Sequence, residues 1–142
     1  MIKVVLATGE EDLNRHVKGL PWVEVAGVAQ YKEAVADVVR SGEGEVLLLS
    51  AYLKGSEDIT SVVFTARAAG FRVVFLAGDI SQDDPLIADI VAMGVYDILF
   101  NPMGIDEIEA RIRTPAPFSD AVRLLRIKRK PEGKRLRGVI AR

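Results

Sequence analysis

Five short apolar runs alternating with five amphipathic ones leave this chain few ways to fold. The runs are IKVVLAT (Ile2–Thr8), VEVAGVA (Val23–Ala29), VLLLS (Val46–Ser50), RVVFLA (Arg72–Ala77) and YDILF (Tyr96–Phe100). All are rich in β-branched or aliphatic residues, and three are continuously apolar, as strands covered on both faces must be. Between them the apolar spacing changes to that of a helix. Leu13, Val17 and Leu20 form one stripe, and Val35, Val38 and Val39 a second. Ile59, Val62, Val63 and Ala66 form a third; Leu86, Ile87, Ile90 and Val91 a fourth; Ile105, Ile108 and Ile112 the last. Gly42, Gly70 and Gly94 each stand just past a stripe, where a left-handed residue ends a helix. Asp84-Pro85 reads as an N-cap followed by proline in the first turn.

Five βα units imply right-handed crossovers and a parallel sheet with helices on both faces. Among the doubly wound arrangements, the flavodoxin-like strand order 2-1-3-4-5 suits five strands. Ligands in such sheets sit at the carboxyl ends of the strands. The exits here offer Thr8-Gly9-Glu10, Ser50, Ala77-Gly78 and Asn101-Pro102, a set with few groups able to do chemistry.

The chain has 142 residues, enough for one domain with a sizeable core, and is 49% hydrophobic and 27% charged. No apolar run reaches the ~18 residues that span a bilayer, and the N-terminus turns acidic by Glu10 rather than showing a leader pattern. With no cysteine, disulfides, thiolate catalysis and cysteine metal sites are excluded. A cytoplasmic protein is the expectation. Residues 1–118 carry 10 Lys/Arg against 18 Asp/Glu, whereas residues 119–142 carry 9 against 2. An acidic body therefore meets a basic tail.

Two stretches carry a family resemblance. GVYDILFNPMGIDEIEARIR (Gly94–Arg113) resembles the C-terminal signature of response-regulator receiver domains, a Gly-Ala-Asp-Asp-Tyr-Leu-type run leading to Lys-Pro and a helix. EVLLLSAYLKGSED (Glu45–Asp58) resembles the receiver's third strand, where the phosphoacceptor aspartate precedes a Pro-Gly pair. The likeness covers about Ile2 to Arg113 in order and spacing. It implies a CheY-like signal-transduction domain of the two-component type. It also implies where the family's chemistry is missing. Ser50 takes the acceptor position, and of the acidic pair after the first strand at most Glu10 remains within Thr8-Gly9-Glu10. Ala77 replaces the Ser/Thr that ends the fourth strand, Asn101 the Lys before Pro102, and Ile98 the aromatic switch residue.

Phosphoryl transfer depends on positioning and on neutralising charge at the transferring group, and each lost donor typically costs ~3–4 kcal/mol of transition-state stabilisation. A serine without an adjacent base is a weak nucleophile, and His16 reads as an exposed helix residue. The expected function is thus a pseudo-receiver: not an enzyme, without metal or cofactor, acting through protein contact. Two alternatives stand beside it: a sensor holding a small uncharged ligand in the vacated pocket, and an atypical response regulator. Thr8-Gly9 resembles a flavodoxin phosphate loop only faintly, because Glu10, Glu11 and Asp12 follow and repel anions. Asp79, Asp83 and Asp84 read as a solvated turn without calcium-loop spacing.

Receivers commonly dimerise through the fourth helix, fifth strand and fifth helix. The implied patch is Ala88, Asp89, Ala92, Met93, Tyr96, Asp97, Glu107, Ala110 and Arg111, with Asp97 and Arg111 as the charge pair of an isologous homodimer. The expected domain spans 2–113. TPAPF then starts a Pro-containing basic linker, 114–142, with a short helix capped by Ser119 or Asp120 and using Val122, Leu125 and Ile127. Gly138-Val139-Ile140 resembles the start of a further strand. The family resemblance implies a downstream domain, such as the P-loop ATPases of pilus assembly and division-site placement. The tail lacks interleaved aromatics and a helix-turn-helix reader, so nucleic acid is not the expected partner, while the basic charge of the tail leaves that contact open. Nor is a membrane.

Overall fold

The computed structural model describes residues 1–125. The basic stretch beyond, with Ile127 and Gly138-Val139-Ile140, lies outside the described residues. Ten elements alternate: β1 (Ile2–Ala7), α1 (Glu11–Lys18), β2 (Val23–Val28), α2 (Lys32–Arg40), β3 (Val46–Ser50), α3 (Ile59–Ala68), β4 (Arg72–Gly78), α4 (Pro85–Ala92), β5 (Asp97–Phe100) and α5 (Ile105–Arg113). A further helix, α6, occupies 118–125. The five strands form one parallel sheet in the order β2-β1-β3-β4-β5. This is the flavodoxin-like arrangement expected from the alternation of patterns.

Strand periodicity divides the core in two. Val5, Leu47, Leu49, Val73 and Phe75 face α2, α3 and α4, meeting Val35, Val39, Val62, Val63, Ile87 and Ile90. Val4, Leu6, Val46, Leu48, Val74 and Leu76 face α1 and α5, meeting Leu13, Val17, Ile108 and Ile112. Each of these side chains is buried, and full burial of such a group contributes ~1.5–3 kcal/mol. The helix stripes therefore lie where their spacing placed them, except that Ile105 is 40% exposed. Gly42, Gly70 and Gly94 all have positive φ just past α2, α3 and α4. Asp84 caps α4, accepting the Leu86 N–H at 2.9 Å.

Packing does not stop at Arg113. Ala116 is buried and Ala121 fully so, the latter within the core on the α2–α4 side, with Leu124 and Leu125 against it. The expected spacer after Arg113 is instead held against the domain. The cause is a hydrogen bond from the Ala116 N–H to Asp97 Oδ1 at 2.7 Å. Among the described residues, no helix is long and apolar enough to cross a membrane.

Candidate functional site

The carboxyl ends of β1, β3, β4 and β5 converge on a cleft of about 530 Å³. Its apolar wall includes Leu13, Leu76, Met103 and Ile108, and its polar wall Glu10, Asp12, His16, Ser50 and Asn101. Among the described residues, no lysine or arginine lines it.

At the β1 exit, Thr8 is 3% exposed and its hydroxyl is fully engaged. It donates to Asn14 Oδ1 at 2.6 Å and accepts the Glu10 N–H at 3.0 Å. The turn this makes places Glu10, in extended backbone, at the N-cap of α1. Asn14 is itself buried, an apolar-face position filled by an amide because Thr8 requires an acceptor there. Gly9 completes the turn with φ 71°.

At the β3 exit, Ser50 is 5% exposed, and its Oγ accepts the Tyr52 N–H at 3.1 Å. Among the described residues no hydrogen bond joins Ser50 to His16. The histidine Nε2 instead meets Glu109 Oε2 at 2.9 Å across the α1–α5 gap. Ser50 thus has no base and closes a turn, while His16 shares the cleft without addressing it.

Tyr52, which the family comparison of motifs did not single out, organises the neighbouring exits. Its ring lies over Gly78, and its hydroxyl accepts the Asp79 N–H at 3.0 Å. Asp79 Oδ1 in turn accepts from Asn101 Nδ2 at 2.8 Å. The register slips between Leu76 and Gly78, leaving Ala77 unpaired and fully buried at the end of β4. The Asn101–Pro102 peptide is cis and carries the chain out of β5. Ile98, at the switch position, is 9% exposed and part of the α2–α4 core.

These contacts link Ser50, Tyr52, Asp79 and Asn101 in one connected set made of neutral groups and a single carboxylate. A transferring phosphoryl group needs cations around it, and the acids nearest the cleft, Glu10 and Asp12, would repel it. The described residues contain no group of three or more His, Asp or Glu placed to hold a metal ion. Asp79 and Asp84 serve Asn101 and the cap of α4 respectively, so the Asp79–Asp84 loop has a structural use. A second groove of about 450 Å³ lies on the β2 side, between Thr8-Gly9, Gln30, Tyr31, Tyr52 and Lys54.

The implied dimer patch needs correction at its charge pair. Asp97 is 2% exposed, and Arg72 Nη1 meets its Oδ2 at 2.9 Å. Arg111 Nη1 lies 4.0 Å from its Oδ1 within the same chain. A carboxylate held this way has no charge to offer a second copy. Asp89, Ala92, Glu107 and Ala110 are exposed; Ala88, Met93, Tyr96 and Arg111 are half-buried, Tyr96 beneath Phe118.

No protein-family model matches the chain. The search of curated proteins likewise gives no match. Solved structures do match. The signal receiver domain of the response regulator NarL from Mycobacterium tuberculosis superposes with a TM-score of 0.67 at 19% identity, covering 79% of this chain and 93% of that one. The receiver domain of a modulated diguanylate cyclase from Desulfovibrio desulfuricans G20 gives 0.65 at 17% identity, over 78% and 90%. The isolated receiver domain of RcsB from Salmonella enterica serovar Typhimurium, solved with phosphomimetic BeF3-, gives 0.66 at 12%, over 87% and 97%.

The chain has the receiver fold. At these identities the likeness establishes architecture, and the chemistry of the exits has to be judged on the residues themselves.

Proposed function

We propose that this chain is a receiver-fold regulatory module that signals through protein contact and does not take up a phosphoryl group. The observation that carries this reading is the Ser50–Tyr52–Asp79–Asn101 set. At the corner where the resembling family places a carboxylate, a hydroxyl and an ammonium, these residues are tied to one another by hydrogen bonds within the chain. The cleft that Ser50 and Asn101 line holds acids and, among the described residues, no lysine or arginine. On this reading the module is not an enzyme and needs no metal. Its partner is another protein or a domain joined through the basic stretch 126–142, a P-loop ATPase being the candidate that the resemblance suggests, in the cytoplasm.

The test is incubation with acetyl phosphate and Mg²⁺ followed by intact mass, beside a thermal-shift series with beryllofluoride and Mg²⁺. The expected result is no species heavier by about 80 Da and no stabilisation. A phosphorylated species would establish the atypical response regulator instead.

The cleft supports a second reading, a small-ligand sensor, because about 530 Å³ with mixed lining is the size and character of a small-molecule site. A metabolite library screened by thermal shift decides it, since a bound ligand stabilises in proportion to the logarithm of its concentration.

A further inference from the structure

The cleft and the second groove adjoin, because Glu10 and Tyr52 line both. Together they form one trough along the carboxyl edge of the sheet, passing the exits of β1 and β3. Glu10, Glu11 and Asp12 stand along it as three consecutive exposed carboxylates, Asp12 meeting the exposed Arg15 at 3.2 Å. Two aromatic rings lie open in the same place: Tyr31 is 56% exposed and Tyr52 61%. Among the described residues that line the trough, Lys54 is the one lysine or arginine. Carboxylates and open ring faces are the two groups that hold arginine and lysine side chains, by charge-assisted hydrogen bonds and by cation–π contact.

The chain itself carries a segment of that chemistry. Residues 126–142 hold eight Lys or Arg and a single acid, Glu132, against the 18 Asp/Glu and 10 Lys/Arg of residues 1–118. The described chain ends at Leu125, which packs on the α2–α4 side of the sheet. From there 17 extended residues span up to ~56 Å, whereas a domain of this size has a radius of gyration of ~14 Å. Reach does not limit the contact. A tether of this kind sets an effective concentration of order millimolar, so a contact with Kd of about 1 mM is already half occupied.

We propose that residues 126–142 dock in this trough of their own chain, an autoinhibitory strap that covers the carboxyl edge of the sheet. The strap brings to the acids of the trough the cations that the cleft lining lacks. While it is seated, a partner or a small ligand has to displace it to reach the cleft. Contact between exposed charges weakens as the Debye length falls from ~8 Å at 0.15 M salt to ~3 Å at 1 M, so the strap opens with ionic strength. It depends on the acids and on the tail, and it stands whether or not Ser50 accepts phosphate.

The absence of cysteine allows a direct test. Gln30→Cys and Leu136→Cys place one spin label at the exposed rim of the second groove and one within the basic stretch, with all eight cations kept. Double electron–electron resonance on the full 142-residue chain, diluted with unlabelled chain, should show a narrow short-distance population at low salt that is lost near ~1 M. Glu10→Gln, Glu11→Gln and Asp12→Asn together should at least halve that population. Lys134→Gln, Arg135→Gln and Arg137→Gln should do the same from outside residues 1–125, where the domain's fold is not at stake. The proposal is overturned if the short population is absent at low salt, or persists through ~1 M salt. It is overturned as well if the population survives either set of substitutions in a folded chain, or arises only between labels on different chains, which would make a second copy the occupant.

Discussion

The Tyr52 ring lies so close over Gly78 that a Cβ there would overlap Tyr52 Cε2 and sit 3.2 Å from its Cζ. Gly78 also has φ 62°, a left-handed conformation that costs other residues about 1–2 kcal/mol. Gly78→Ala should therefore lower stability in urea by at least that amount, the ring's displacement adding to the backbone term. Combining it with Tyr52→Ala removes the overlap but not the strain. The two substitutions should be less costly together than their separate effects predict, with a coupling of ~0.5–3 kcal/mol. Strict additivity would mean that the ring does not rest on Gly78.

Restoring the family's acceptor should not restore its chemistry. Ser50→Asp introduces a carboxylate at a position 5% exposed, with the Tyr52 N–H as the donor at hand and, among the described residues, no lysine or arginine in the cleft. Burying an incompletely satisfied polar group costs ~1–3 kcal/mol, and a charge costs more. The variant should unfold at lower urea and still gain no mass from acetyl phosphate with Mg²⁺. Efficient phosphorylation of Ser50→Asp alone would show that the remaining groups suffice and that serine is the sole block.

How much of this was written in the residues differs between fold and site. Strands and helices follow from two apolar periods, since a parallel sheet covered on both faces must show runs such as Val46–Leu49 and stripes such as Ile87, Ile90 and Val91. The exits could be named for the same reason. Tyr52 could not, because its role depends on crossing from β3 to a bulged β4, a relation between strands that no local pattern encodes. Asn14 is a nearer miss: a polar residue between Leu13 and Val17 signals a buried acceptor. Asp97 misled. In the sequence it is a charged residue beside Tyr96 in a motif that leads to a surface, yet Arg72 and Ala116 draw it inside. The Pro-Ala-Pro spacing read as a spacer is the reason that Ala116 alone can bond it.

Acid should weaken the start of α3 through Asp58. The Thr60 hydroxyl donates to its carboxylate at 2.6 Å and the Thr60 N–H at 2.8 Å, while Lys32 adds a smaller attraction. Together they hold its pKa below the ordinary 3.8, the hydroxyl contributing most. A carboxyl whose folded pKa is depressed stabilises above the unfolded value and loses that contribution as pH falls through the folded one. The loss therefore belongs below about pH 3.8. Thr60→Val should shift the Asp58 titration upward toward 3.8 in side-chain NMR and move acid unfolding to slightly higher pH. An unchanged titration would remove the hydroxyl as the principal cause.

Arg72 holds the edge of the sheet together, and its loss should be among the costliest changes at a partly exposed position. Its guanidinium meets Asp97 Oδ2 at 2.9 Å and donates to the Arg111 carbonyl at 2.8 Å and to the Ile112 carbonyl, tying β4, β5 and the end of α5. Arg72→Met keeps much of the stem but leaves Asp97, 2% exposed, without its nearest counter-charge. Removing one partner of a buried pair typically costs ~3–5 kcal/mol, mainly because the other charge stays buried. Arg111, 4.0 Å from Asp97 and itself partly buried, offsets some of this, so a loss near 3 kcal/mol is expected in urea unfolding. Adding Asp97→Asn removes the stranded charge and leaves an amide oxygen that can still accept the Ala116 N–H. The double variant should therefore be more stable than Arg72→Met alone. If the second substitution instead deepens the loss, Asp97 is stabilised by Ala116 and Arg111 without help from Arg72, and the edge is held by the carbonyl contacts.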